Sequence, residues 1–546
     1  MTCALPVAPV LSRVQAENRD FCQSIYARHA GIDHYLKNAY WRWERDAGHT
    51  WANSQLRELS ERLQLPGTSS SAAQDDQSLK YLAKTRAEQC EQIYKGVARL
   101  GDIGEVAARV RDFVEQYGPA FPLKIGPGDT PDQIAQKSLA AIARATDPGW
   151  WCRQLRKLAG RQVEAELRAL GAVRKQAAPY VSNWGMARWR ASQRRNSETL
   201  GRLEAVNEEG EAVALNDCIE SSVSNPVNRR NELMVRMRGY EEVATGLGLV
   251  GLFFTLTTPS RFHAGRSSGG RNPAFEGASP REAMGWLNDT WALIRSAWAR
   301  KCVRAFGFRV SEPHHDGTPH CHFLLFVHPD EKERACELFG RYALADSPDE
   351  PGARANRWDV KAIDPARGSA AGYLAKYVAK NIDGYRVGVD EEGQVMAEEG
   401  AARVRAWASL WGIRQFQPVG SVSVTVWREL RRRKGPLEDV EPDEAEELRA
   451  ASDAGDWARF VELMGGAFVK REDQTLRACY VESGGVVNQY GEALKRLIGV
   501  WLKPVGRAIA RCLVPTREHV WAIREKGAGQ PPPLSPAQPG VLDLCQ

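Results

Sequence analysis

The chain has 546 residues, 43% hydrophobic and 26% charged, with a formal net charge of +6 and a pI near 8.7. That length exceeds one ordinary core and calls for two to four domains, and the mild positive charge is compatible with a nucleic-acid partner without requiring one. No apolar run approaches the roughly 20 residues of a membrane span. The first twenty residues lack a signal-peptide pattern, and the eleven Cys form no CxxC pair, so a cytoplasmic protein without zinc ribbon or disulfide framework is expected.

Residues 1–215 read as mainly helical, with apolar residues three and four apart in stretches such as QSLKYLAKTRAEQCEQIYKGVARL. PGTSSSAAQDDQS (66–78) reads as a flexible break inside this region. The stretch NWGMARWRASQRRN (183–196) is basic and aromatic, and fits a solvated helix face as well as a DNA-contacting one.

From Leu247 the character changes. GLVGLFFTLTTPSRFH is β-branched and aromatic and predicts a buried strand running into a loop. SPREAMGWLNDTWALIRSAWARKC (279–302) predicts an amphipathic helix entered through Ser-Pro, with an acid at its start. FGFRVSEPHHDGTPHCHFLLFVHP (306–329) reads as two strands around an Asp316–Gly317 turn, and 329–344 and 368–382 as helices. Interleaved strands and helices predict an α+β layer domain over 216–435.

Residues 403–434 then hold eight Arg or Lys against one Glu, and 438–447 hold seven acids in ten positions, a reversal expected at a domain edge. Beyond it, 436–526 reads as a small helical region and 527–546 as a disordered Pro-rich tail.

Five of the ten His fall between His314 and His328. If the Asp316–Gly317 turn joins two antiparallel strands with facing positions that sum to 634, His314 faces His320 and Glu312 faces His322. All four are even-numbered and share one face of the hairpin, about 5 Å apart when directly opposed. Cys321, Phe323, Leu325 and Val327 point the other way, into a core.

His320, His322 and Glu312 make a two-His, one-carboxylate set with positions left open, the composition of a catalytic metal site. The mixed nitrogen and oxygen donors suit Mn²⁺ or Mg²⁺, with zinc still compatible. His314 is equally readable as a ligand or as a hydrogen-bonded neighbour, and His315 and His328 as unrelated to the set.

In YLAKYVAKN, Tyr373 and Tyr377 share one helix face, and Lys376 and Lys380 share another. Two Tyr at this spacing are ordinarily core packing, but a phenol beside an ammonium or a metal is also a competent nucleophile toward phosphorus. Basic residues before Lys434, among them Arg414, Arg428, Arg431 and Arg432, fit phosphate binding, with a solvated basic helix as the plain alternative.

Taken together, the blocks FFTLTTPSRFH (253–263), EPHHDGTPHCHFLLF (312–326), AGYLAKYVAKNI (371–382) and RAWASLWGIRQFQPVGSVSVTVWRELRR (405–432) resemble the phage replication gene A protein family. These are two-tyrosine HUH endonucleases, named for His-hydrophobic-His, here His320-Cys321-His322. The resemblance implies a central antiparallel sheet of HUH type flanked by helices, with the His pair on a middle strand. It implies a divalent metal, Mg²⁺ or Mn²⁺, on His320, His322 and a third group that Glu312 fits. Tyr373 and Tyr377 would attack in turn, giving a 5′-phosphotyrosine and a free 3′-OH, while Lys376 and Lys380 bind phosphate or favour phenolate.

The implied substrate is single-stranded or locally melted origin DNA, with host helicase and DNA polymerase as partners, in rolling-circle replication of a phage or prophage. A two-tyrosine transposase, a hydrolytic metallonuclease and a non-enzymatic origin-binding protein are the alternative readings.

Overall fold

The computed structural model describes residues 13–528 apart from 98, 100, 176, 267–269, 367, 386–388, 391–394, 434, 438–443 and 503–512. All but the first two residues of the expected Pro-rich tail, and residues 438–443 of the acidic run, lie outside the described residues. The chain divides into two compact units, Met1–Ala172 and Val173–Gln546.

The first unit is helical as expected: α1 (Arg13–Arg28), α2 (Asp33–Ala47), α3 (His49–Arg62), α4 (Asp76–Val97), α5 (Ile103–Gln116), α6 (Pro131–Ala145) and α7 (Pro148–Ala169). In α4 the buried Leu79, Ala83, Ala87 and Cys90 make one stripe at helical spacing. That helix packs on α7, which buries Leu155, Ala159, Val163 and Leu167 on its own stripe. Thr130 and Gln133 close a capping box at the start of α6, with Pro131 at its first turn.

The segment expected as a flexible break does separate α3 from α4, but as a packed loop in which Ser71, Ala72 and Ala73 are buried. Small side chains that look loop-like in sequence are here the ones that fit beneath the helices.

In chain order the second unit contains α8 (Asn183–Gly201), β1 (Leu203–Val206), β2 (Ala212–Ala214), α9 (Leu215–Ser221), α10 (Pro226–Gly246), β3 (Val250–Thr257) and α11 (Pro280–Arg300). Then follow β4 (Ala305–Pro313), β5 (Pro319–Val327), α12 (Lys332–Ala343), α13 (Ala353–Asn356), β6 (Trp358–Ala362), α14 (Ala370–Ile382), β7 (Val389–Asp390) and β8 (Val395–Met396). The last part holds α15 (Ala397–Trp411), β9 (Phe416–Val419), α16 (Val424–Leu430), α17 (Glu444–Ala454), α18 (Trp457–Leu463), β10 (Leu476–Val487), β11 (Ala493–Leu502), β12 (Leu513–Pro515) and β13 (Ala522–Glu525).

This is the expected mixture of helices and antiparallel sheet. The central sheet runs β6-β3-β5-β4-β9, antiparallel throughout. Both of its faces are covered, so every residue of β5 is buried. On one face Phe254 and Phe323 pack against Trp291 and Trp298 of α11 and Phe339 of α12. On the other, Phe253, Phe306, Phe308, Leu324 and Phe326 join a core with Met237 and Tyr240 of α10 and Leu374 and Val378 of α14. The entry to α11 is the capping box that its Ser-Pro start foreshadows, Ser279 with Glu282.

Two expectations are corrected. The C-terminal region is helical only through α18. Residues 476–502 form an antiparallel hairpin of β10 and β11, turned at Asn488–Gly491, and β12 adds a third strand. The helical N-terminal stretch likewise gives way to β1 and β2, and β1 also pairs with β13. Only the β1–β13 pairing joins segments remote in sequence, and there tertiary context decides the conformation.

Candidate active site

The β4–β5 hairpin is the foundation of the site. Its register pairs Glu312 with His320 and Val310 with His322, two residues from the expected pairing of Glu312 with His322 and His314 with His320. The loop is longer than a two-residue turn. His314 N donates to Thr318 O at 2.7 Å, Gly317 N donates back to His314 O at 2.8 Å, and Gly317 takes φ +80. The odd residue sits in the left-handed region that glycine tolerates. Because the register differs from the expected one by two residues, even residues still face even residues, and the donor face survives the correction.

On that face Glu312, His320 and His322 converge, with one possible ligand atom from each lying within 4.8 Å of the others. The two imidazole Nε2 atoms are 2.9 Å apart, and Glu312 Oε2 is 3.9 Å from each. Two nitrogens ligating one cation at about 2.0–2.1 Å stand roughly 3 Å apart at a right angle, so the residues fit a divalent ion.

All three side chains are at least nine-tenths buried. Burial, reinforced by His314, His322 and Lys380 nearby, holds His320 well below the usual imidazole range, in the neutral form that ligates. Thr255 Oγ1 is 3.0 Å from His322 Nδ1 and fixes that ring from β3. His320 Nδ1 is buried without a hydrogen-bond partner among the described residues.

α14 lies over this face. Ser369 caps its start, accepting from Gly372 N, and Glu241 of α10 accepts from Ala370 N at 2.6 Å and Ala371 N at 3.1 Å. Phe253 of β3 is the plate against which both tyrosines rest: Tyr377 stacks on it at 5.3 Å and Tyr373 meets it edge-on at 4.7 Å, between ring centroids. Tyr377 also lies 4.5 Å from the His322 ring, half-buried, whereas Tyr373 is exposed. Lys380 Nζ turns inward, 3.9 Å from Glu312 Oε2 and 5.7 Å from the centre of the Tyr180 ring, and Lys376 is exposed.

The remaining residues from the sequence reading sort by position. His314 stacks on His320 at 4.1 Å and reaches toward His263 at 5.2 Å, beside the donor set and outside it. His328 accepts from Asp330 N at the far end of β5. Arg428 forms a two-pronged pair with the buried Glu232, and Arg432 pairs with the buried Glu429, so both brace the fold around α16. Arg431 is exposed and stands over Trp427. Arg414 is exposed in the segment entering β9. It and Arg405 are among the cations that, after burial, lower the Arg229 basicity. Two residues carry no role in the sequence reading and are central here. Asn381 and Gln415, both buried, hydrogen-bond in series behind Glu312.

The sheet presents two imidazoles and a carboxylate to a helix bearing two tyrosines, groups chemically able to act on a phosphate ester. Residues 74–385, which take in the donor set, both tyrosines, both lysines and Asn381 but none of the residues described from Arg405 onward, match the family model of the bacteriophage replication gene A protein. The chain belongs to that family.

It is 40% identical over 437 residues to the replication gene A protein of Escherichia phage 186, covering 76% of this chain and 62% of that one. It is 42% identical over 367 residues to the replication protein of Haemophilus phage HP1, covering 66% and 46%. It is 34% identical over 375 residues to a probable replication endonuclease from a prophage-like region of Salmonella typhimurium, again covering 66% and 46%. The chain thus spans about half to three-fifths of the length of these curated relatives. No solved structure matches the chain at a significant level. Among the described residues no helix is long and apolar enough to cross a membrane.

Proposed function

We propose that the chain is a site-specific single-strand DNA endonuclease that initiates rolling-circle replication of a phage or prophage by metal-assisted tyrosine transesterification. The observation that carries this reading is the laying of Tyr377 against His322 on the donor face, with Tyr373 one helical turn away on the same plate. The replication endonuclease names of the relatives support it.

His320, His322 and Glu312 would hold a divalent ion, Mg²⁺ or Mn²⁺, which when bound draws charge from a phosphate oxygen. The chain's own groups do the rest. The Tyr377 Oη–phosphorus bond forms as the phosphorus–O3′ bond breaks, the phenol proton ends on the released 3′ oxygen, and the 5′ phosphate stays on tyrosine. The phosphodiester energy is kept in the phosphotyrosine, so the exposed Tyr373 can accept a later exchange without ATP. Lys380 neutralises charge beside Glu312, and Arg229, Arg405 and Arg414 concentrate positive charge near β9 where a phosphate backbone could track. The proposed substrate is single-stranded or locally melted origin DNA, with host helicase and polymerase using the freed 3′ end.

The test is a denaturing gel of single-stranded origin DNA incubated with protein and Mn²⁺ or Mg²⁺. Wild type should give a metal-dependent adduct that survives denaturation, and the Tyr373→Phe/Tyr377→Phe double variant should give none. Cutting by the double variant would transfer the chemistry to a metal-activated water.

A further inference from the structure

Asn381 is 1% exposed, one residue after Lys380 and four after Tyr377. Its Nδ2 donates to Glu312 Oε1 and, at 2.6 Å, to the main-chain oxygen of Tyr377. Its Oδ1 accepts from Gln415 Nε2 at 3.3 Å. An amide nitrogen facing a carboxylate and a carbonyl has its orientation decided, because the turned-over amide would set oxygen against oxygen twice. The Gln415 backbone is anchored in its turn, since its main-chain carbonyl accepts from Ser311 N of β4 at 2.7 Å.

We propose that Asn381 is a positioning residue that orients the Glu312 carboxylate and locks it to the helix bearing both tyrosines. The carboxylate is divided between two tasks. Oε1 is taken by Asn381, and Oε2 is thereby turned toward His320, His322 and Lys380, at 3.9 Å from each. Because the same Nδ2 holds the Tyr377 carbonyl, the donor set and the nucleophile helix keep one register. A rotation of α14 cannot occur without turning the carboxylate.

Leucine at this position would match the volume but remove the side-chain donor to Glu312 Oε1 and the Tyr377 carbonyl and the acceptor for Gln415 Nε2, so the hydrogen bonds and not the packing are what asparagine supplies. Groups that orient a ligating side chain from behind typically change metal affinity by about 10–100-fold when removed.

The inference rests on the metal-assisted reading above, and its test separates the two. Mn²⁺ binding to the full chain without DNA is followed by the electron paramagnetic resonance of the unbound ion, for wild type, Asn381→Leu, Glu312→Gln and the double variant. Single-turnover cutting is followed as a function of Mn²⁺, and DNA binding is measured alongside.

Asn381→Leu is expected to weaken Mn²⁺ binding by about 10–100-fold, to leave DNA affinity unchanged, and to regain cutting as Mn²⁺ is raised. In the Glu312→Gln background it should add almost nothing, because both act through one carboxylate. Gln415→Ala removes only the bond behind Asn381, so it should give a smaller shift in the same direction. It keeps the test available if the Asn381 variant does not fold. Wild-type binding with a superimposable Asn381→Leu isotherm overturns this inference alone. An additive loss in the double variant does so as well. Absence of Mn²⁺ binding by wild type overturns the metal centre and the inference together.

Discussion

His29 in the first compact unit and His320 in the second are both buried, and burial lowers the basicity of both, His29 to about 4. Their nitrogens are used differently. His29 Nδ1 meets Ser71 Oγ at 2.7 Å and Nε2 meets Ser60 Oγ at 2.9 Å, so donor and acceptor are both matched and the ring ties α3 to the loop before α4. His320 directs Nε2 at a second imidazole Nε2, and its Nδ1 has no hydrogen-bond partner among the described residues. Burial and a depressed pKa are therefore shared by a structural histidine and one in the proposed donor set. Where the lone pairs point separates them, and convergence on a common spot is the informative feature.

The largest expected effect tests the donor set. His322→Ala removes one of two nitrogens from the donor set, and loss of several kcal/mol of charge stabilisation corresponds to roughly a thousandfold in single-turnover DNA cutting. Stabilisation of the chain by added Mn²⁺ should vanish with it. His29→Ala should leave cutting per folded molecule unchanged. If the two variants lose cutting equally, the distinction between them fails.

The next effect tests the structural side. His29→Ala removes the partner of the buried Ser60 hydroxyl, leaves Ser71 Oγ with only its bond from Ala73 N, and opens a cavity, at a cost of about 3 kcal/mol. Hydrogen exchange of α1 and α3 amides in the full chain should report that loss, and protection of β5 should not change.

The smallest effect concerns pH. The folded pKa of His29, about 4, lies below its ordinary 6.5 because burial disfavours the cation, so the unfolded chain binds the extra proton. Stability of the first unit is then fully present above pH 6.5 and declines as pH falls toward 4, by about 2 kcal/mol at pH 5. Exchange protection of α3 should carry this slope in wild type and lose it in His29→Ala.

Local patterns made much of this legible. The apolar run at 248–257, the alternation through His320 and His322 and the Ser-Pro entry at 279–280 each became the expected element. The donor face was readable because strand parity depends only on odd and even numbers. The register was not, because a shift of the pairing by two residues keeps that parity and leaves no mark in the sequence.

What escaped depends on partners far along the chain. Asn381 reads as an ordinary polar residue near a helix end until Glu312, 69 positions away, is brought against it. Arg428 reads as a DNA-binding cation until Glu232, 196 positions away, neutralises it. Strand β1 meets β13 across more than three hundred residues, as the Glu204–Arg524 register shows.

The two edges of the central sheet, β6 and β9, are only five and four residues long. Pro418 lies within β9 and offers no main-chain N–H, while Asp359 and Lys361 stand exposed on β6. Short, charged or proline-bearing borders deny an incoming strand the ladder it would need. Those borders guard the sheet against pairing with its own copies, a safeguard for a molecule whose middle strand is buried on both sides.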